Sequence, residues 1–306
     1  MSRLILLAAP ISNAFKHWLL DKDFTFVNYE EEEWRQYQSQ FVGIITSNKL
    51  TLDQQTITPF SALQWIARLG SGMEIIDTDY CRQHNIACFS SPAGIANAVA
   101  EHAMGMLLSV LHRIHSSANE VANALWIREP NRGIELENLC VGIIGYGHTG
   151  TAMVQKLSAF TQNILVYDKY KENIPYATTL SHIQQEADII SFHVPLTSET
   201  KHYYNEAFAD AMQKPHYLIN TSRGAVVDTQ VILSGLQAGN IKGACLDVLE
   251  EEKSIQTVMQ SSDNIIQQLL AYPVIITPHI AGYSHNAIEK MSLELQRQLE
   301  FIVGDS

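Results

Sequence analysis

Short apolar runs alternate with polar, helix-compatible stretches along most of the chain. Leu4 to Ala8, Phe24 to Asn28, Phe41 to Thr46, Trp65 to Leu69 and Ile86 to Phe89 read as short buried strands. Between them lie segments such as Ser12 to Leu20, with Ser12 a candidate N-cap. Strands alternating with helices predict a parallel sheet covered on both faces. The acidic run Glu30 to Glu33 reads as a solvated helix start. The breaker cluster Ser91-Pro92-Ala93-Gly94 closes this first sheet. From Asn97 to about Asn119 the pattern predicts one long helix, apolar on nearly all sides at Val99, Ala103, Met104, Leu107, Leu108 and Leu111. Such a helix is buried, either spanning two domains or packing on a partner subunit. Residues 120 to 138, with Trp126, Pro130 and Gly133, read as an irregular arm.

The arm leads to the most informative stretch. Val141 to Ile144 is a strand-like run that empties into Gly145-x-Gly147-x-x-Gly150, and Met153, Val154, Leu157 and Phe160 follow at helical spacing. In a strand–turn–helix, Gly145 allows the tight turn, Gly147 lets backbone approach a pyrophosphate, and Gly150 lets the helix pack against the strand. The helix N-terminus offers N–H groups and partial positive charge to phosphates. The next run, Ile164 to Tyr167, ends at Asp168, 23 positions after Gly145. A carboxylate there accepts ribose hydroxyls and repels a 2′-phosphate, which points to NAD. Lys169 follows and leaves NADP as the lesser alternative. Strands are then expected at Ala187 to His193, His216 to Thr221, Gly243 to Val248 and Val274 to Thr277. A last helix, Asn286 to Val303, shows Ile288, Met291, Leu295, Leu299 and Ile302 on one face and should return to the first domain.

Composition narrows the class. The 306 residues allow two domains, and the 46% apolar and 17% charged content is that of a soluble globular protein. A formal charge of −12 without a Lys/Arg cluster argues against a nucleic-acid surface. Leu4 to Pro10 is too short for a signal peptide or membrane span. Cys81, Cys88, Cys140 and Cys245 have no paired or metal-like spacing, so reduced thiols in a cytoplasmic protein are expected. His112 and His115 would share a helical face but lack a third ligand, so no metal site is expected.

Four polar residues fall at or just past the carboxyl ends of the later strands: His193, Arg223, Asp247 and His279. In an open parallel sheet, ligands sit at that edge. Arg223 lies where a strand breaks into the turn Thr221-Ser222-Arg223-Gly224, and its guanidinium can grip a carboxylate and polarise a neighbouring carbonyl. His279 offers acid–base chemistry near neutral pH. One of Glu250, Glu251 and Glu252 can pair with it and favour the imidazolium.

These residues, with Leu69 to Asp77, Asn97 to His102 and His193 to Thr200, resemble the D-isomer-specific 2-hydroxyacid dehydrogenase family over nearly the whole chain. The resemblance implies an α/β protein with a Rossmann-type doubly wound nucleotide domain, 96–283, inserted into a flavodoxin-like substrate domain, 1–95 plus 284–306. It implies an active site in the cleft between them and a homodimer built on the long helix and arm. By motif, Arg223 orients the substrate, His279 is the acid–base and Glu252 its partner, while the backbone of Ser71 and Gly72 holds the substrate carboxylate. His148 and Thr149 would meet the pyrophosphate. Val194, Pro195 and Thr200 would border the adenosine and its ribose, and Thr221, Asp247 and Gly282 the nicotinamide half.

Departures from the pattern are Lys253 in place of the usual Pro, which leaves Glu251 as a fallback partner, His148-Thr149 where Arg-Ile is commoner, and Glu74 for Asp. The expected partner is a small 2-hydroxy or 2-keto acid, with no membrane or nucleic-acid partner. The chain is similar in flavour to short 3-phosphoglycerate dehydrogenases without a regulatory domain. Glyoxylate, hydroxypyruvate, lactate and bulkier 2-keto acids remain open substrates, and Arg68 is a candidate for attracting a phosphate. A non-catalytic dinucleotide-sensing scaffold is the rival of another class.

Overall fold

The computed structural model describes residues 3–250, 252, 259 and 264–303. The chain divides into two compact units, one formed by residues 1–96 with 282–306, the other by residues 97–281.

The first unit carries β1 (Arg3–Ala8), β2 (Phe24–Asn28), β3 (Phe41–Thr46), β4 (Trp65–Arg68) and β5 (Ala87–Ser90). All neighbours pair in parallel, in the order β2-β1-β3-β4-β5. That is the flavodoxin-like arrangement expected. Ser12 caps the helix Asn13–Asp21 by accepting from Phe15 N, as its position before the apolar periodicity suggested. The C-terminal helix His285–Val303 belongs to this unit. Ser292 Oγ accepts from Ser12 N at 3.0 Å, and the Glu294 carboxylate accepts from Ala93 N and Gly94 N at 3.3 and 2.7 Å. A carboxylate over a helix N-terminus meets the positive end of its dipole. On this helix Val303 is buried while Ile302 is exposed, which corrects the face read from the sequence by one position.

The second unit holds β6 (Val141–Ile144), β7 (Ile164–Tyr167), β8 (Ile189–Phe192), β9 (His216–Asn220), β10 (Ile241–Leu246) and β11 (Val274–Ile276). The order is β11-β10-β9-β8-β6-β7, parallel throughout. Alternate residues of a strand face opposite sides, and the two cores divide accordingly. Ile143, Ile189, Ile219 and Cys245 pack with Ala103, Leu107, Met153 and Leu157. Ile144, Ile190, Leu218 and Leu246 pack with Ile183, Phe208, Ile232 and Leu236. Both faces are therefore covered by helices, so most of the strands read as short apolar runs without polar alternation. The chain reverses between β7 and β8, and this puts a crevice at the carboxyl ends of β6 and β8.

Two further expectations need correction. The long helix runs Pro92–Leu111, starting inside the supposed breaker cluster because proline fits a first helical turn. It does not reach Asn119: Arg113 adopts φ 53°, the Leu111 carbonyl is taken by Ile134 N at 3.0 Å, and a separate helix, Ile114–Ala122, follows. The arm thus ends the helix by competing for its last acceptors, and His112 and His115 lose their common face. In the glycine-loop helix, His148–Leu157, Phe160 lies past the last turn and is exposed.

A candidate active site on the nucleotide-binding unit

The glycine loop is shaped by close backbone contacts. Gly145 has φ +95°, and a Cβ on Gly150 would stand 2.0 Å from Gly145 O. The first turn of the helix rests directly on the loop, a distance no side chain tolerates. Gly150→Ala is expected to cost about 1–3 kcal/mol of stability or more from overpacking, and to abolish measurable NADH binding by fluorescence titration. Unchanged affinity would show that the loop can yield. Asp168, just past β7, holds the same loop. Its Oδ2 accepts from Tyr146 N at 2.7 Å and its Oδ1 from Tyr170 N at 2.9 Å, so each oxygen keeps a lone pair for another donor.

The loop leaves room for an anionic ligand. A Cβ at Gly147 would meet nothing within 4 Å, and the helix His148–Leu157 that it precedes has no side-chain cap on its N-terminal N–H groups. His148 and Thr149 form its first turn. Thr221 Oγ1, just past β9, is buried and has no hydrogen-bond partner among the described residues. A buried hydroxyl left this way is costly unless a ligand satisfies it. Val194 packs beside Gly145, and Thr200 closes the following loop, donating to Pro195 O and accepting from Thr197 N. These features fit a dinucleotide along the carboxyl edge of the sheet.

Arg223 and His279 stand on the same unit. A Cβ on Gly224 would lie 2.0 Å from Leu249 O, so the turn that carries Arg223 is pressed against the backbone leading to Glu252. Arg223 Nη1 donates to Ser222 O at 2.7 Å, and Asn220 Nδ2 donates to Arg223 O at 2.9 Å. His279 Nδ1 is 2.8 Å from Glu252 Oε2, and Glu252 Oε1 accepts from Leu249 N. A carboxylate only accepts, so Nδ1 carries the proton and Nε2 is the nitrogen left to exchange one. The Glu252 hydrogen bond raises the His279 pKa, against desolvation. The negative charges of Glu252 and Asp247 add to the rise, and the nearby Arg223 charge opposes it. His193 is the opposite case: burial pushes it down to about 4, and Ser191 Oγ sits 2.8 Å from its Nε2. Of these two strand-end histidines, only His279 can hold a proton near neutrality.

His279 also has φ +55°, a strained conformation for a histidine. Asp247 holds it there. The backbone oxygen of Asp247 accepts from His279 N, and its carboxylate accepts from Ile280 N and Ala281 N. Asp247 is thus committed to shaping the turn, a role the sequence did not reveal. Glu250 does not serve His279 either. It binds His202 Nε2 at 2.6 Å and accepts from Thr229 N and Oγ1. Glu251 and Lys253 lie outside the described residues.

Ser71, Gly72 and Gly282 belong to the first unit, so Gly282 falls outside the unit in which the sequence put it. Ser71 and Gly72 follow β4, in a loop anchored by Gly70 N donating to Ser91 Oγ. Arg68, the last residue of β4, is only 6% exposed; it bonds to Asn48 Oδ1 and lies 4.0 Å from Glu74 Oε2. The Glu-for-Asp departure at 74 therefore places a carboxylate near this buried cation.

The chain is similar to known proteins over most of its length. Residues 104–281 match the family described as D-isomer specific 2-hydroxyacid dehydrogenase, NAD binding domain. The chain is 30% identical to a hydroxypyruvate reductase of Thermotoga maritima, over 95% of each chain. It is 28% identical to a D-3-phosphoglycerate dehydrogenase of Bacillus subtilis, over 98% of this chain and 57% of that one. A D-lactate dehydrogenase of Aquifex aeolicus, solved with NAD and lactic acid, superposes with TM-score 0.83 at 27% identity, over 99% of this chain and 96% of that one. The chain belongs to the D-isomer-specific 2-hydroxyacid dehydrogenase family, and it is an oxidoreductase with a Rossmann-type NAD-binding domain.

Proposed function

We propose that the protein interconverts a D-2-hydroxy acid and its 2-keto acid, with NAD as the preferred cofactor. The observation that carries the reading is the His279–Glu252 pair, with the Arg223 charge acting on it, at the carboxyl edge of the nucleotide-binding sheet. Bound NADH supplies the hydride for reduction, and NAD+ takes it up in oxidation. In reduction, the Arg223 guanidinium grips the substrate and polarises its 2-keto oxygen. His279 Nε2 delivers a proton to that oxygen, and in oxidation it takes the proton back. Glu252 keeps the imidazole oriented and favours its charged form. Ser71 and Gly72 bind the substrate carboxylate through their backbone. Thr221 Oγ1 is a hydrogen-bond donor for the nicotinamide half.

Asp168 favours NAD because its carboxylate accepts from ribose hydroxyls and repels a 2′-phosphate. Lys169, the adjacent cation, is drawn to Glu199, with Nζ 2.6 Å from Oε2. A panel of glyoxylate, hydroxypyruvate, pyruvate and bulkier 2-keto acids, with 3-phosphoglycerate oxidised in parallel, tests the reading through NADH and NADPH absorbance. Turnover with NADH supports it, and a panel inert with both cofactors removes it. Arg68 gives no support to a phosphorylated substrate in particular, because it is buried, bonded to Asn48 Oδ1 and close to Glu74 Oε2.

Glu252→Gln removes the largest cause of the raised His279 pKa. Reduction needs protonated His279, so its rate falls as pH rises through that pKa. In the variant this descending limb is expected at lower pH, read from kcat profiles. An unmoved limb would take Glu252 out of the role.

The arm supports a homodimer. Val121, Leu125, Ile127 and Ile134 are exposed, and Trp126 is 82% exposed. That much unpartnered apolar surface marks an interaction site. Light scattering of the wild type and of Trp126→Asp should give a dimer and a monomer, respectively. A monomeric wild type would refute the assembly.

A further inference from the structure

We infer that His102 is a positioning residue for His279, acting through Thr277 and Asp247. The inference rests on the dehydrogenase reading above. His102, on the helix Pro92–Leu111, places Nε2 3.0 Å from Thr277 Oγ1 and 3.6 Å from Asp247 Oδ1. Thr277 Oγ1 stands 2.6 Å from Asp247 Oδ1. Asp247 is 2% exposed, and its carboxylate already accepts from Ile280 N and Ala281 N.

The directions of these bonds follow from the inventory of protons. The carboxylate only accepts, so the single Thr277 hydroxyl proton is given to Asp247. The Met106 sulfur, at 3.8 Å, is a far weaker competitor for that proton. With its proton spent, Thr277 Oγ1 can only accept from His102, which must therefore carry a proton on Nε2. The result is a one-way chain, His102 to Thr277 to Asp247, in which each bond polarises the next.

The end of the chain is the acid–base residue. Three successive N–H groups, of His279, Ile280 and Ala281, converge on Asp247 through its backbone oxygen and carboxylate. Successive N–H groups around a left-handed residue make a concave anion seat, and here the anion is a side chain of the protein. Because φ of His279 is +55°, the turn persists only while its surroundings overdetermine it. Thr277 donates to the same carboxylate oxygen that accepts from Ile280 N, and His102 in turn holds Thr277. His102 comes from a helix distant in sequence, so it ties the catalytic turn to the core of its own unit. It does not itself exchange protons with substrate.

The test compares His102→Leu, His102→Gln and Thr277→Val, after turnover by the wild type has been established on a 2-keto acid. Wild-type inactivity would count against the proposed function; the comparison among variants bears on His102 alone. His102→Leu and Thr277→Val are each expected to lower kcat about tenfold or more, because small misplacements of an acid are expensive. KM for the keto acid and the NADH Kd should stay within about twofold, as both contacts lie elsewhere. The double variant should be no slower than the slower single variant, the signature of residues in one chain. His102→Gln places an amide N–H near the former Nε2 and should recover kcat to within about threefold of wild type. Melting temperatures should differ by no more than about 4 °C, the shift expected for one lost hydrogen bond.

Long-range 1H–15N spectra of the unliganded protein give a readout independent of turnover. With His102→Gln to assign the signal, His102 should show a protonated Nε2. Full kcat in His102→Leu, multiplied losses in the double variant, or a bare Nε2 on His102 would each overturn the inference. So would a His102→Gln protein that melts normally yet is as slow as His102→Leu.

Discussion

Replacing His279 with Ala is expected to lower kcat for 2-keto acid reduction about a thousandfold, within the range that general acid catalysis contributes. Nδ1 is tied to Glu252 at 2.8 Å, so on the proposed mechanism the proton given to substrate leaves from Nε2. The Glu252 hydrogen bond raises the pKa above the ordinary histidine value, and the wild type therefore stays armed to a higher pH than a free imidazole. In His279→Ala, the limb that falls with rising pH should vanish along with most of the rate. NADH affinity should hold, because the glycine loop, Asp168 and Thr221 are untouched. Stopped-flow hydride transfer across pH 5 to 9 would check both points. A variant within tenfold of wild type would place the proton donor elsewhere, and His193, pushed down to about 4 by burial, could not replace it near neutral pH.

The second large effect is expected at Arg223. On the proposed mechanism, Arg223→Ala removes both the grip on the substrate and the charge that stabilises the developing alkoxide. Losing one such donor typically costs about 100- to 1,000-fold in kcat, and the lost grip raises KM as well. Their product should lower kcat/KM by about 10,000-fold. Arg223→Lys should recover only part of this, because an ammonium lacks the planar fork. Arg223 also lowers the His279 pKa. Residual activity in Arg223→Ala should therefore keep its falling limb to higher pH than wild type. Steady-state kinetics on a turned-over 2-keto acid would show the split. A variant that loses only substrate affinity would limit Arg223 to binding.

Much of this site could be read from residue order. Gly145, Gly147, Gly150 and Asp168 are close in sequence, and their spacing follows from one strand, one turn, one helix and the next strand. The strand-end rule located Arg223, Asp247 and His279 for a similar reason, since a parallel sheet exposes its carboxyl edge to ligands. Choosing Glu252 rather than Glu250 rested on the family resemblance. Consecutive glutamates look alike in sequence, and only the folded chain shows Glu250 already engaged by His202 and Thr229. Asp247 was assigned to the nicotinamide half by the same resemblance, whereas its oxygens are largely spent on the turn of His279.

Local pattern determined the alternation of strands and helices, the glycine loop and the candidate chemistry, because periodicity, steric freedom and proton affinity are properties of neighbouring residues. Tertiary structure alone decided where the long helix stops, since the acceptor at Leu111 is claimed by Ile134, 23 residues further on. It alone decided that a histidine would sit in a left-handed turn, because the carboxylate that holds it there comes from another strand. Contacts between residues far apart in the chain leave no mark in a sequence read position by position. The fine placement of His279 is made of such contacts.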